Sequence, residues 1–131
     1  MNQRELDVLN ILWETDTPMS LADILAARPD LIKSTVAAIL AKLLREKLIQ
    51  IEGIAYSGKV LCRTYRPTEL SREKVLESVT KDYNNVCNIV PRTELLASIL
   101  RLNRDKEKAK EEIAQIRAIL DEIENKYSQN T

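Results

Sequence analysis

Apolar residues recur along this chain with a period that changes twice, from helical to alternating and back to helical. The segment ELDVLNILWE (Glu5–Glu14) places Leu6, Leu9, Leu12 and Trp13 on one helical face. Asp16–Pro18 interrupts it. Ser20, with Asp23 three residues on, forms a capping-box pattern that starts a short second helix, Leu21–Ala27, and Pro29–Asp30 ends that helix. A third helix is predicted from Lys33 to Lys47, with Val36, Ile39, Leu40 and Leu43 as its apolar stripe. From Leu48 to Gly53 and from Lys59 to Pro67 the pattern becomes β-branched and partly alternating. This predicts two strands, with Ala55–Gly58 as the turn between them.

Beyond Thr68 the helical period returns. A helix to about Val86 carries Val75, Val79, Tyr83 and Val86 on one side, and Asn84–Arg92 interrupts it. Pro91 suits the first turn of the next helix. That helix presents Leu95, Leu96, Ile99 and Leu102. The last helix, from about Asp105 to Tyr127, places Ala109, Ile113, Ile116, Leu120, Ile123 and Tyr127 at spacings of 4, 3, 4, 3 and 4, a regular a/d seam. Three helices and a hairpin followed by helices make a fold that is mainly α with a small β-hairpin wing. Residues 1–70 read as a winged helix-turn-helix domain and residues 71–131 as a helical dimerisation region. A stripe on so long a helix needs a partner surface, and a second copy of the chain can supply it.

Composition sharpens this picture in two ways. With two glycines, no phenylalanine and 44% hydrophobic residues, the core must be built by aliphatic side chains on long helices. The net charge of zero hides a division: residues 1–30 hold two basic and six acidic side chains, whereas residues 31–67 hold seven basic and two acidic, a balance of +5. Positive charge is thus concentrated around the third helix and the hairpin, the footprint expected of a nucleic-acid surface. No run of about 18 apolar residues and no basic-then-apolar start is present, so neither a membrane span nor a signal peptide is expected, and the cytoplasm is the natural location. Cys62 and Cys87 make neither a disulfide framework nor a zinc site, and no metal or cofactor is expected.

The third helix carries the sharpest chemical signal. Opposite its apolar stripe stand Ser34, Ala37, Ala38 and Ala41, with charge only at Lys42 and Arg45. Small side chains let a helix approach base edges and phosphates closely, and an alanine methyl can touch a thymine methyl. Ser34 and Thr35 at the helix start suit hydrogen bonds to phosphates or bases, and Lys42 and Arg45 suit the flanking backbone. On the wing, Lys59 beside the turn and Arg63 are candidate phosphate contacts. The competing explanations are that the alanines are simply good helix formers or pack under another element, and that the wing cations are solvated strand charges. The predicted interface is therefore Ser34, Thr35, Ala37, Ala38, Ala41, Lys42, Arg45, Lys59 and Arg63. The predicted dimer contacts are Leu95, Ile99, Ile113, Ile116, Leu120 and Ile123.

The order of these segments resembles the penicillinase-repressor family of bacterial regulators. ELDVLNILWE, the helix-turn, STVAAILAKLLREKLI and a hairpin closing on RTYRPTELSREK carry the resemblance, which is strongest between Glu5 and Lys74. It implies a homodimeric winged-helix repressor that binds palindromic operators of resistance genes, with its N-terminal part on double-stranded DNA and its C-terminal helices dimerising. Ser34 and Thr35 fall at the start of the family's recognition helix, and Lys42 matches a usual Arg or Lys. Ala37 and Ala38 depart from the family's frequent Arg and Thr, and Lys47 stands where a glycine is usual. The clustered Cys-x-Cys pairs of the family's copper-responsive branch are absent. The proteolytic Asn-Phe bond of its β-lactam-responsive branch has only Ser98–Ile99 as a counterpart, which leaves a regulatory protease or a small-molecule inducer open. With no histidine and no Gly-rich phosphate loop, an enzyme is not expected. The alternative from another class is a winged helix that only binds proteins.

Overall fold

Helix α1 (Gln3–Glu14) begins where Asn2 can cap it: the Asn2 side chain accepts from the Glu5 backbone N–H at 2.9 Å, and the Glu5 carboxylate accepts from the Asn2 N–H at 3.3 Å. The computed structural model describes residues 1–129, so the last two positions of the predicted helical region lie outside the described residues. The chain divides into two compact units, the first ending at Asp82 and the second beginning at Tyr83. The first unit contains α1, α2 (Leu21–Ala27), α3 (Lys33–Arg45), an antiparallel hairpin of β1 (Ile49–Ser57) and β2 (Val60–Pro67), and most of α4 (Glu69–Asn84). This is a winged helix-turn-helix. The second holds α5 (Arg92–Leu100) and α6 (Lys106–Gln129).

The core of the first unit is aliphatic, as the composition requires. Val8, Leu9 and Leu12 from α1, Ile24 from α2, and Val36, Leu40 and Leu43 from α3 are all buried, with Leu48 and Ile49 closing one end. At about 1.5–3 kcal/mol for each large side chain taken from water, this cluster is the main source of the unit's stability. The buried face of α1 is rotated from the predicted stripe. Val8, Leu9, Ile11 and Leu12 are buried, whereas Leu6 and Trp13 are half-buried. Two apolar stripes overlap on this helix: one meets the core, and the other, with Leu6 and Trp13, faces Val75, Leu76 and Val79 of α4 across a shallow groove.

The end of α3 is a Schellman turn. Leu48 N–H bonds to Leu43 O at 2.9 Å and Lys47 N–H to Leu44 O at 3.1 Å, which requires Lys47 to adopt φ 63°. The helix therefore stops at Arg45, two residues before the predicted end.

The hairpin is longer than its sequence suggests. Ala55 and Tyr56 belong to β1 and pair with Cys62 and Leu61, so the turn shrinks to Gly58–Lys59. Gly58, with φ 66°, occupies the first central position, where a two-residue hairpin turn favours glycine. Gly53, predicted to end the first strand, instead sits in a bulge: Glu52 and Gly53 together face Thr64, with Gly53 at φ 93°. Thr64 Oγ1 donates to Glu52 O at 2.6 Å and holds the bulge in place. A one-residue ladder between Met19 and Tyr65 ties the α1–α2 connection to β2.

In the second unit α5 is capped by Pro91, one position ahead of the first turn where it was predicted. Asp105 caps α6 by accepting from the Glu107 N–H at 3.0 Å. No described residue of α5 or α6 is buried. Leu95, Ile99, Ile113, Leu120 and Ile123 are exposed and Ile116 is half-buried. No helix among the described residues is long and apolar enough to cross a membrane.

Candidate nucleic-acid interface

Because α3 buries Val36, Ile39, Leu40 and Leu43, helical geometry turns the remaining positions outward. Ser34, Thr35, Ala37, Ala38, Ala41 and Arg45 are all exposed, so the alanines pack under no other element of this unit. The outer face of α3 is a ridge of small side chains with Arg45 at its far end. Its near end begins at Ile32, the N-cap residue, which makes no side-chain cap bond and is 67% exposed. An exposed isoleucine beside Ser34 and Thr35 was not anticipated from the sequence. The available signal was its position just outside the periodic stripe.

Lys42 is placed differently from the other candidates. Ser34, Thr35, Ala38 and Lys42 form the α1-facing side of an open concavity whose other wall is Asn2, Gln3, Arg4 and Glu5. There the Lys42 ammonium meets the Glu5 carboxylate at 2.5 Å. Glu5 is only 4% exposed, whereas the Lys42 side chain remains 43% exposed. Burial would push the Glu5 carboxyl up, but the hydrogen bond from Lys42, the Asn2 N–H and the Lys42 charge outweigh it, and its pKa lies below the ordinary 4.5. The same contact raises Lys42, first through the hydrogen bond and then through the charge of Glu5. Glu5 was not singled out from the sequence, although a signal existed: it stands at i with Val8, Leu9 and Leu12 at i+3, i+4 and i+7. A lone charge within a buried stripe demands a partner.

The wing carries Lys59 at its tip and Arg63 on β2, both exposed. Arg63 pairs across the hairpin with Ile54, and Tyr56 pairs with Leu61 two residues further out, so the four share one face. Ile54, Tyr56 and Leu61 are 68%, 75% and 59% exposed, which makes that face apolar apart from Arg63. Arg66 is occupied at the root of the wing, where Nε donates to Glu52 and Nη2 donates to Asp16 O at 2.9 Å.

Ion pairing thus divides the basic segment. Lys42 and Arg66 are held by Glu5 and Glu52, whereas Lys33, Arg45, Lys47, Lys59 and Arg63 make no ion pair among the described residues. The acidic segment before α3 neutralises itself in part. Arg28 grips Asp30 through two bonds of 2.8 Å and holds that carboxyl down at about 2, and Arg4 lies between Asp7 and Asp30. The surface left for a polyanion runs from the start of α3 along its small-residue ridge to Arg45, with Lys59 and Arg63 on the wing.

Among solved structures the chain is similar to a mutant of MepR from a multidrug resistant S. aureus clinical isolate, with 18% identity over 95% of this chain and 80% of that one and a TM-score of 0.50, a likeness of fold. It is also similar to a MarR/EmrR family transcriptional regulator from Acinetobacter sp. ADP1, with 22% identity over 98% and 78% of the two chains and a TM-score of 0.47. No curated protein matches it. The model of the penicillinase repressor family matches residues 1–122, nearly the whole length, and the chain belongs to that family of non-enzymatic, winged-helix transcriptional regulators.

Proposed function

We propose that this protein is a homodimeric, operator-specific repressor acting in the cytoplasm, in which α3 enters the major groove of double-stranded DNA. One observation carries the reading: the outward face of α3 is exposed, small and free of acidic side chains as far as Arg45, and Arg45 at its end and Lys59 and Arg63 on the wing make no ion pair among the described residues. Small residues allow the backbone to reach base edges, so Ser34, Thr35, Ala37, Ala38 and Ala41 tune sequence. Arg45, Lys59 and Arg63 attract phosphate without regard to sequence. Residues 1–70 read DNA and residues 71–131 dimerise, chiefly through Leu95, Ile99, Ile113, Ile116, Leu120 and Ile123. Support for the second part is that these side chains lie along α5 and α6 with none buried. A two-fold dimer places two α3 helices about one duplex turn apart, roughly 34 Å, on a palindromic site. Occupancy of that site occludes the promoter.

The test is fluorescence anisotropy with DNA from upstream of the protein's own gene and with a random duplex, across a salt series. Tight, salt-sensitive binding that prefers the upstream DNA is expected. Absence of binding to either duplex at low salt would leave a protein-interaction module as the better reading.

A further inference from the structure

Lys42 projects from the DNA-facing side of α3, yet its ammonium is already engaged. Glu5, on the first turn of α1, meets it at 2.5 Å and is itself buried, gripped by the Asn2 backbone N–H at 3.3 Å and the Asn2 side-chain amide at 3.2 Å. Glu5 cannot move outward without breaking the capping box of α1. Lys42, in contrast, is half exposed and lines the open concavity with Ser34, Thr35 and Ala38, one and two helical turns beyond Ala38 and Ser34. A fixed carboxylate therefore sits behind a half-exposed cation on the reading face.

From this arrangement we infer that Glu5 is an electrostatic brake on α3: it withholds Lys42 from phosphate and so lowers sequence-independent affinity. The inference rests on the DNA-binding reading above and deepens it. Counterion release scales with the number of phosphates neutralised, and a lysine already neutralised by a buried carboxylate adds none. Specificity benefits because contacts with phosphate strengthen binding to every duplex alike, whereas contacts with bases do not. Glu46, one turn beyond Lys42 at the C-cap of α3, is exposed and cannot replace Glu5, since a surface pair of this kind is weak and screened by salt.

The experiment compares salt slopes for binding of the full chain to a random duplex. Glu5→Gln keeps the side-chain shape and, through its one carbonyl oxygen, the bond accepted from the Asn2 N–H, but it removes the charge that holds Lys42. The expected result is a slope steeper by about 0.9 and, at 0.1 M salt, affinity higher by about eightfold, the factor that slope gives between 1 M and 0.1 M. The double variant Glu5→Gln/Lys42→Met should return to the wild-type slope. Glu14→Gln, at the other end of α1 and exposed, makes the same change in net charge and should leave the slope as it was. An unchanged slope in folded Glu5→Gln, or a steepening that survives loss of Lys42, overturns the inference. Should Glu5→Gln not fold, Lys42→Met decides: a wild-type slope supports the brake, and a slope shallower by about one shows that Lys42 already holds phosphate. A wild-type protein that binds no duplex at low salt overturns the DNA-binding reading itself, and that blank control separates the two failures.

Discussion

The indole Nε1 of Trp13 donates to Ser71 Oγ at 2.9 Å, and Ser71 Oγ in turn donates to Thr68 O at 2.6 Å. This chain of bonds fastens the end of α1 to the start of α4, with the Arg72 guanidinium 4.5 Å from the centre of the indole ring. Ser71 is fully buried, so its hydroxyl is satisfied only by these partners. Ser71→Ala leaves the indole N–H without an acceptor and should cost about 1–3 kcal/mol in urea unfolding. Trp13 is the only tryptophan, so its emission reports the loss directly. A change below the error of the measurement would show that water replaces Ser71.

Lys47 holds the left-handed position of the α3 Schellman turn, where a side chain is disfavoured and glycine is not. Lys47→Gly is therefore expected to stabilise the protein by roughly 1 kcal/mol, and Lys47→Val to destabilise it by at least as much. Chemical denaturation of the three proteins checks the order. Equal midpoints would mean that the greater flexibility of glycine in the unfolded chain cancels the relief.

Arg45 lies at the far end of the small-residue ridge and makes no ion pair among the described residues. Arg45→Ala should weaken binding to operator and random duplexes by the same factor and reduce the salt slope by about 1. A loss confined to the operator would make Arg45 a base contact instead.

Leu120 and Ile123 are 52% and 46% exposed on α6 and belong to the a/d seam. Burying an aspartate in such a seam without a partner costs several kcal/mol, so Leu120→Asp should convert a dimer into monomers. Sedimentation at micromolar concentration checks this. A variant that remains dimeric would show that Leu120 lies outside the contact between subunits.

The Glu5–Lys42 pair makes stability depend on pH in a definite direction. The folded pKa of Glu5 lies below its unfolded value, so the pair's contribution is complete above the unfolded value near 4.5 and is lost as pH falls through the folded one. The stability advantage of wild type over Glu5→Gln should be constant near neutrality and shrink below about pH 4.5. An advantage that persists at lower pH would mean that the carboxylate charge is not what stabilises wild type.

The order and kind of elements were legible in the sequence because periodicity follows directly from which side of each element meets the core. The predicted α2 agrees with the structure to the residue, since its capping box is a local signal, and the outward direction of Ser34, Ala38 and Ala41 follows from the same 3.6-residue period that buries Val36, Leu40 and Leu43. What sequence could not settle depended on contacts between distant segments. Lys42 reads as a free cation until a carboxylate 37 residues away is placed against it. Gly53 reads as the end of a strand until Thr64 closes a bulge around it. The α1 stripe shifts because two helices compete for overlapping faces, and only packing ranks them. Local pattern determined the elements and the face that α3 presents. Tertiary structure decided which charges on that face remain free, because a charge is neutralised by whatever folds against it.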